Sequence, residues 1–217
     1  AELRKGREAL RQVNRQAIKT KRAAAYLEAA ESLYHDEEKV DYGARKLAYQ
    51  SAMERIMTQN PNDREAMVFY ALALISTASP SDKTFANQKK ALRLLQKVLE
   101  HEPHHPGVTH YIIHSSDYPG LAELGLNAAR TYARIAPAVP HALHMPSHIF
   151  IRLGYWQDAV QSNLAADHAA KAHAHENALT ETWDQRLHFM DYAMYAYLQM
   201  GETGKAREIL QQLQSIK

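Results

Sequence analysis

Two histidine pairs constrain what this chain can fold into. His110 and His114 are spaced i, i+4, as are His144 and His148, so on a helix the two imidazoles of each pair share one face. The pairs stand 34 residues apart, and Pro106 and Pro140 repeat at the same interval. That is the period of a helix-turn-helix unit that stacks on its neighbour. Equivalent points on two successive first helices then place all four imidazoles on one wall.

The rest of the chain agrees with a helical array. Nowhere does a run of β-branched residues alternate to suggest strands. Helical spacing predicts segments from Ala23 to about His35, Tyr42 to Thr58, Arg64 to Ser76, Phe85 to Glu100 and Leu121 to Ile135. The segment from Arg64 is apolar nearly all round and should be buried by neighbours on both sides. Asn60-Pro61-Asn62-Asp63 and Ser79-Pro80-Ser81-Asp82 read as stops followed by caps. From Asp167 to Trp183 an alanine-rich stretch with His168, His173 and His175 reads as a helix end plus a connecting loop, its histidines solvated.

Counting Pro140 as position 1, Leu143, Ser147, Phe150, Ala159 and Ala166 fall where a tetratricopeptide repeat takes a large apolar, a small, an aromatic and two small residues. Pro146 departs from that pattern and predicts a kink or a new helix start. A final unit aligns Gly201 with Gly154, placing His188, Asp191 and Tyr195 at the slots of His141, His144 and His148. The strings Asp82 to Gln88, His105 to Pro119 and Ala136 to Gly154 resemble a group of bacterial tetratricopeptide repeat proteins. The resemblance runs from about Glu2 to the C-terminus. It implies an all-α, tetratricopeptide-like helical-repeat superhelix of antiparallel hairpins, with no particular activity attached. The expected organisation is a single helical-repeat domain of about 10 helices over residues 1–217. The chain reads as a C-terminal portion of a longer protein.

Composition narrows the chemistry. There are no cysteines, which excludes disulfides, thiolate ligands and thiol nucleophiles. The 26 basic and 24 acidic side chains nearly balance, giving no general argument for nucleic acid. The basic run from Arg4 to Arg22 has no interleaved aromatics for base stacking and reads as a solvated helix face. No apolar run approaches the roughly 20 residues that span a bilayer. A soluble protein without membrane insertion is expected, its compartment, cytoplasmic or periplasmic, left open.

Thirteen histidines stand out, eight of them between His101 and His148. His101, His104 and His105, flanked by prolines, are expected to face solvent. His110, His114, His144 and His148 are the candidate metal ligands, with Asp117 as a carboxylate candidate. Nitrogen and oxygen donors suit Zn, Fe, Ni, Cu or Mn, and spacing does not choose among them. His141, Tyr118, Arg152, His188, Asp191 and Tyr195 are candidate ligand contacts. In that set Arg152 would hold a carboxylate and Asp191 would orient an imidazole. The competing reading is a network of neutral histidines bonded to Tyr111, Tyr118 and Asp117.

Three functions follow: a binding module whose histidine-rich concave groove takes a transition metal and a peptide segment or small ligand; a metal-dependent hydrolase or oxidase; or a purely structural interaction scaffold. Phosphate loops, nucleophile elbows and His-Glu-x-x-His are absent from the sequence.

Overall fold

The computed structural model describes residues 2–35, 39–179 and 182–216. Among these, every regular element is helical. There are twelve α-helical segments: α1 (Glu2–Arg11), α2 (Lys21–Tyr34), α3 (Tyr42–Gln59), α4 (Arg64–Ser76), α5 (Ala86–Leu99), α6 (Pro106–Ser116), α7 (Ala122–Ile135), α8 (Pro140–His144), α9 (Pro146–Leu153), α10 (Trp156–Glu176), α11 (Asp184–Gln199) and α12 (Thr203–Ser215). The chain forms two compact units, Ala1–His101 and Glu102–Lys217.

In the first unit, successive helices pack as neighbours from α1 to α5. Short polar side chains end the loops by capping. Thr20, Asp41 and Asp63 each accept a backbone N–H from the first turn of the helix that follows. Met53, Ile56, Tyr70, Leu74, Leu95 and Val98 make the core. The expected long basic helix at the N-terminus is instead α1, a break at Val13 and Asn14, and a 3-10 turn over Arg15–Ala17. Its cations other than half-buried Arg7 stay at the surface, where Arg22 pairs with Asp63 at 2.5 Å and Arg15 with Glu31.

The second unit is three hairpins: α6 with α7, the α8–α9 pair with α10, and α11 with α12. α7 packs against α9, and α10 against α11, so the hairpins stack in sequence order. Gly154 and Gly201 end their first helices at φ of 75° and 73°, the left-handed conformation that costs glycine nothing. α10 runs unbroken for 21 residues, so the helix end expected after Asp167 reaches Glu176 before the connection to α11; Thr180 and Glu181 of that stretch lie outside the described residues. Asp167 is buried and accepts from Arg186 at 2.6 Å, tying α10 to α11, while His168, His173 and His175 are exposed.

Candidate functional site: a six-histidine cluster

α6, the α8–α9 pair and α11, the first helices of the three hairpins, direct their histidines toward one another. His110 stacks on His114 and His141 with ring centroids 4.7 and 5.1 Å away. His144 lies 4.9 Å from His148 and 4.7 Å from His188. Across the two sets, His141 and His144 are 6.1 Å apart, and His114 and His148 6.3 Å. The expected wall of four imidazoles is therefore a cluster of six.

It divides into two groups of three. One ring nitrogen from each of His110, His114 and His141 lies within 4.8 Å of the other two, and the same holds for His144, His148 and His188. Spacing along one helix gave the pairs. His141 joins the first group and His188 the second because of how the helices pack. Pro146 contributes by interrupting the helix at Met145: it has no N–H to give the Ala142 carbonyl, and α9 starts afresh behind it.

The protonation of the second group can be read from its partners. His144 is fully buried, and its Nδ1 lies 2.6 Å from Asn163 Oδ1. Asn163 donates its own Nδ2 to the Ala159 carbonyl at 2.8 Å, which fixes Oδ1 as the atom facing His144. Nδ1 of His144 therefore carries the hydrogen, and burial pushes this imidazole down to about 3, so it is neutral and its Nε2 is a bare lone pair. His148 has the matching arrangement, with Nδ1 donating to Asp117 Oδ2 at 2.9 Å. The two Nε2 atoms then face each other at 3.0 Å. Two bare lone pairs at that separation would repel, so the contact is favourable only with a hydrogen or another cation between the two nitrogens. Two zinc-bound nitrogens at 2.0 to 2.1 Å are about 3.3 Å apart at the tetrahedral angle and about 2.9 Å apart at a right angle, which brackets the observed spacing.

Asp117 occupies an orienting position. Its Oδ2 accepts the His148 N–H and its Oδ1 accepts from Arg152 Nε at 2.8 Å. Burial alone would raise its carboxyl, but the bonds from His148 and Arg152 outweigh that and hold it below the usual range. Arg152, expected to await a ligand carboxylate, is thus engaged by a carboxylate of its own chain. No hydrogen bond joins Asp191 to an imidazole among the described residues; it lowers the cost of charging His188 only through space.

The first group has a different surround. His110 Nδ1 meets the Tyr132 hydroxyl at 3.1 Å, and Tyr111 packs edge-on to the same ring. Burial pushes His110 down to about 3 and His114 to about 4, and lowers His141 as well, with the neighbouring imidazoles adding to the effect. All three imidazoles are neutral at neutral pH.

The chain has 12% sequence identity to the solved structure of MamA (AMB-1), a tetratricopeptide-like protein, with a TM-score of 0.59 over 88% of this chain and 91% of that one. The fold is a tetratricopeptide-type helical repeat. No protein-family model and no curated protein sequence matches. The histidine groups thus rest on this chain's own geometry.

Besides Tyr111, the phenols that meet the cluster are Tyr132 and Tyr192. Tyr192 lies 5.0 Å from both His144 and His148, and its hydroxyl reaches His148 Nδ1 at 3.4 Å. Its signal was present in the sequence, since His188 and Tyr192 repeat the i, i+4 spacing. The repeat register pointed instead to Asp191 and Tyr195, and Tyr195 in fact packs edge-on to Trp156. Asn163, on the second helix of its hairpin, had no such signal. Tyr118 is half-buried just after Asp117. His105 departs from expectation: rather than simply facing solvent, it caps α6, its Nδ1 accepting from Val108 N at 3.2 Å, while His101 and His104 are exposed.

A cavity of about 340 Å³ opens beside the second group, walled by His148, Arg152, Asp191, Tyr192 and Tyr195. A larger cleft of about 970 Å³, lined by Val139, Pro140, Leu179 and Trp183, contains none of the six histidines.

Proposed function

We propose that this chain is a helical-repeat binding module that holds a transition-metal ion at His144, His148 and His188 and receives a peptide end or small ligand in the adjoining cavity. The observation that carries this is the Nε2 to Nε2 contact of 3.0 Å between rings whose other nitrogens are committed as donors. A third imidazole nitrogen within 4.8 Å favours a metal ion over a shared proton, since a proton uses only two acceptors. Asp117 and Asn163 would fix the rings with their lone pairs inward, the role that outer partners play in histidine metal sites. Binding the ion would bring the His188 nitrogen to ligand spacing by a side-chain torsion open to a half-buried residue. Arg152, Tyr192 and Tyr195 would meet the bound ligand, and Zn, Fe, Ni, Cu and Mn all suit the donor set.

A second reading, a metal-dependent hydrolase or oxidase, is favoured by one feature. Three protein nitrogens leave a coordination position open, and His148 belongs both to the group and to the cavity wall. Protein purified without a histidine tag and titrated with zinc should bind the ion, and His148→Ala should lose it at that group with unchanged far-ultraviolet circular dichroism. A His148→Ala protein with wild-type stoichiometry and affinity would remove the proposal.

A further inference from the structure

We infer that the module is a two-ion centre, with a second transition-metal ion bound by His110, His114 and His141 beside the first. The inference extends the reading above but stands on different residues. These three imidazoles come from α6 and α8, and their nitrogens meet the same 4.8 Å condition as the other group. Among the described residues no hydrogen bond reaches either nitrogen of His114, and His110 uses only Nδ1, toward Tyr132, leaving Nε2 for a ligand. The ring of His110 stands 4.7 Å from that of His114 and 5.1 Å from that of His141, which places all three imidazoles in one neighbourhood. A structural network would instead be expected to pair these nitrogens with carbonyls, hydroxyls or carboxylates. Among the described residues the polar side chains bonded to these rings are the Tyr132 phenol at His110 and Gln185 at His141.

The two groups differ in a way that an experiment can read. The His144 group has Asp117 behind His148, whereas no carboxylate contacts a ring of the His110 group among the described residues. Loss of such an outer partner typically weakens a metal site 10- to 100-fold. The second ion should therefore bind about 10- to 100-fold more weakly than the first.

The test is metal stoichiometry on tag-free wild-type protein, with zinc(II) and copper(II) tried separately, by elemental analysis after removal of free metal and by calorimetric titration. Two ions per chain in two steps, falling to one in His110→Gln/His114→Gln and to one in His144→Gln/His148→Gln, is the expected result. One ion that survives His110→Gln/His114→Gln but not the other pair overturns the second site and leaves the first. A single ion lost in both variants means one shared four-histidine site and also overturns it. A single ion lost only in His110→Gln/His114→Gln sinks the first site instead. No ion in wild type with either metal ends both proposals, and because the wild-type count needs no substitution, a variant that misfolds does not remove the test.

Discussion

The chemistry of the cluster rests on which nitrogen of each ring carries hydrogen, and that is decided by single residues. Asn163 holds His144 in the Nδ1–H form from the far side of its hairpin, and does so only because its own amide is locked by the Ala159 carbonyl. Replacing it with alanine leaves a buried imidazole N–H without an acceptor, a loss of about 1–3 kcal/mol offset by a few tenths from alanine's better helix propensity. Asn163→Ala should thus lower the urea midpoint without changing the slope. It should also weaken zinc binding at the His144 group, since the ring is free to adopt the other tautomer. Full stability in the variant would mean that the amide does not set the tautomer.

Among the elements, the position of α6 relative to α9 decides whether His114 and His148 lie near each other, and α7 is the spacer. Gly125 on α7 is packed so closely that a Cβ there would lie 2.8 Å from Ser116 Cβ on α6 and 2.9 Å from Ile149 Cδ1 on α9. Gly125→Ala must push α6 outward at Ser116, whose Cβ is fixed to the backbone, and displace the Ile149 side chain on α9. Overpacking of this kind costs about 1–3 kcal/mol, against a gain of roughly 1 kcal/mol in helix propensity. The expected net result, read by thermal unfolding, is a destabilised protein whose metal affinity also falls, because the helices bearing the two groups move apart. A more stable Gly125→Ala with unchanged affinity would show that this contact gives way freely.

At the scale of the whole molecule, a cluster of buried neutral imidazoles makes stability depend on pH. Burial holds His110 and His144 at about 3 and His114 at about 4 in the folded protein, against roughly 6.5 in the unfolded chain. Below about pH 6.5 the unfolded chain takes up protons that the folded one refuses, so their contribution is fully present above that pH and is lost as pH falls toward 3. Asp117, held low by its partners, adds to acid sensitivity as it protonates. Metal-free protein should lose unfolding free energy steadily from about pH 6.5 to pH 4, and His110→Phe should flatten that slope. Saturating zinc should raise the melting temperature at pH 7 and lose that effect in acid, because protons compete for the same lone pairs. A slope untouched by His110→Phe would mean that this ring is not what senses the acid.

How much of this could be read in advance follows from the range of the forces involved. Helical periodicity, caps and a 34-residue recurrence are local, so the repeat fold, most helix limits and the four first-helix histidines were legible from the sequence. An i, i+4 pair shares a face because the helix repeats every 3.6 residues, whatever surrounds it. Grouping across helices has no such guarantee. Whether His141 turns to His110 or His144, and whether His188 or Asp191 meets His148, depends on packing register and on the break at Pro146, and one residue of slip along α11 changes the answer. The acceptors that set each tautomer, Asp117 and Asn163, sit 31 and 19 residues from the rings they hold and join them only when the hairpins close. The sequence by itself thus determined a helical array with histidines on one face, while the partition into two nitrogen triads was left to tertiary packing, where contacts form between residues with no local pattern in common.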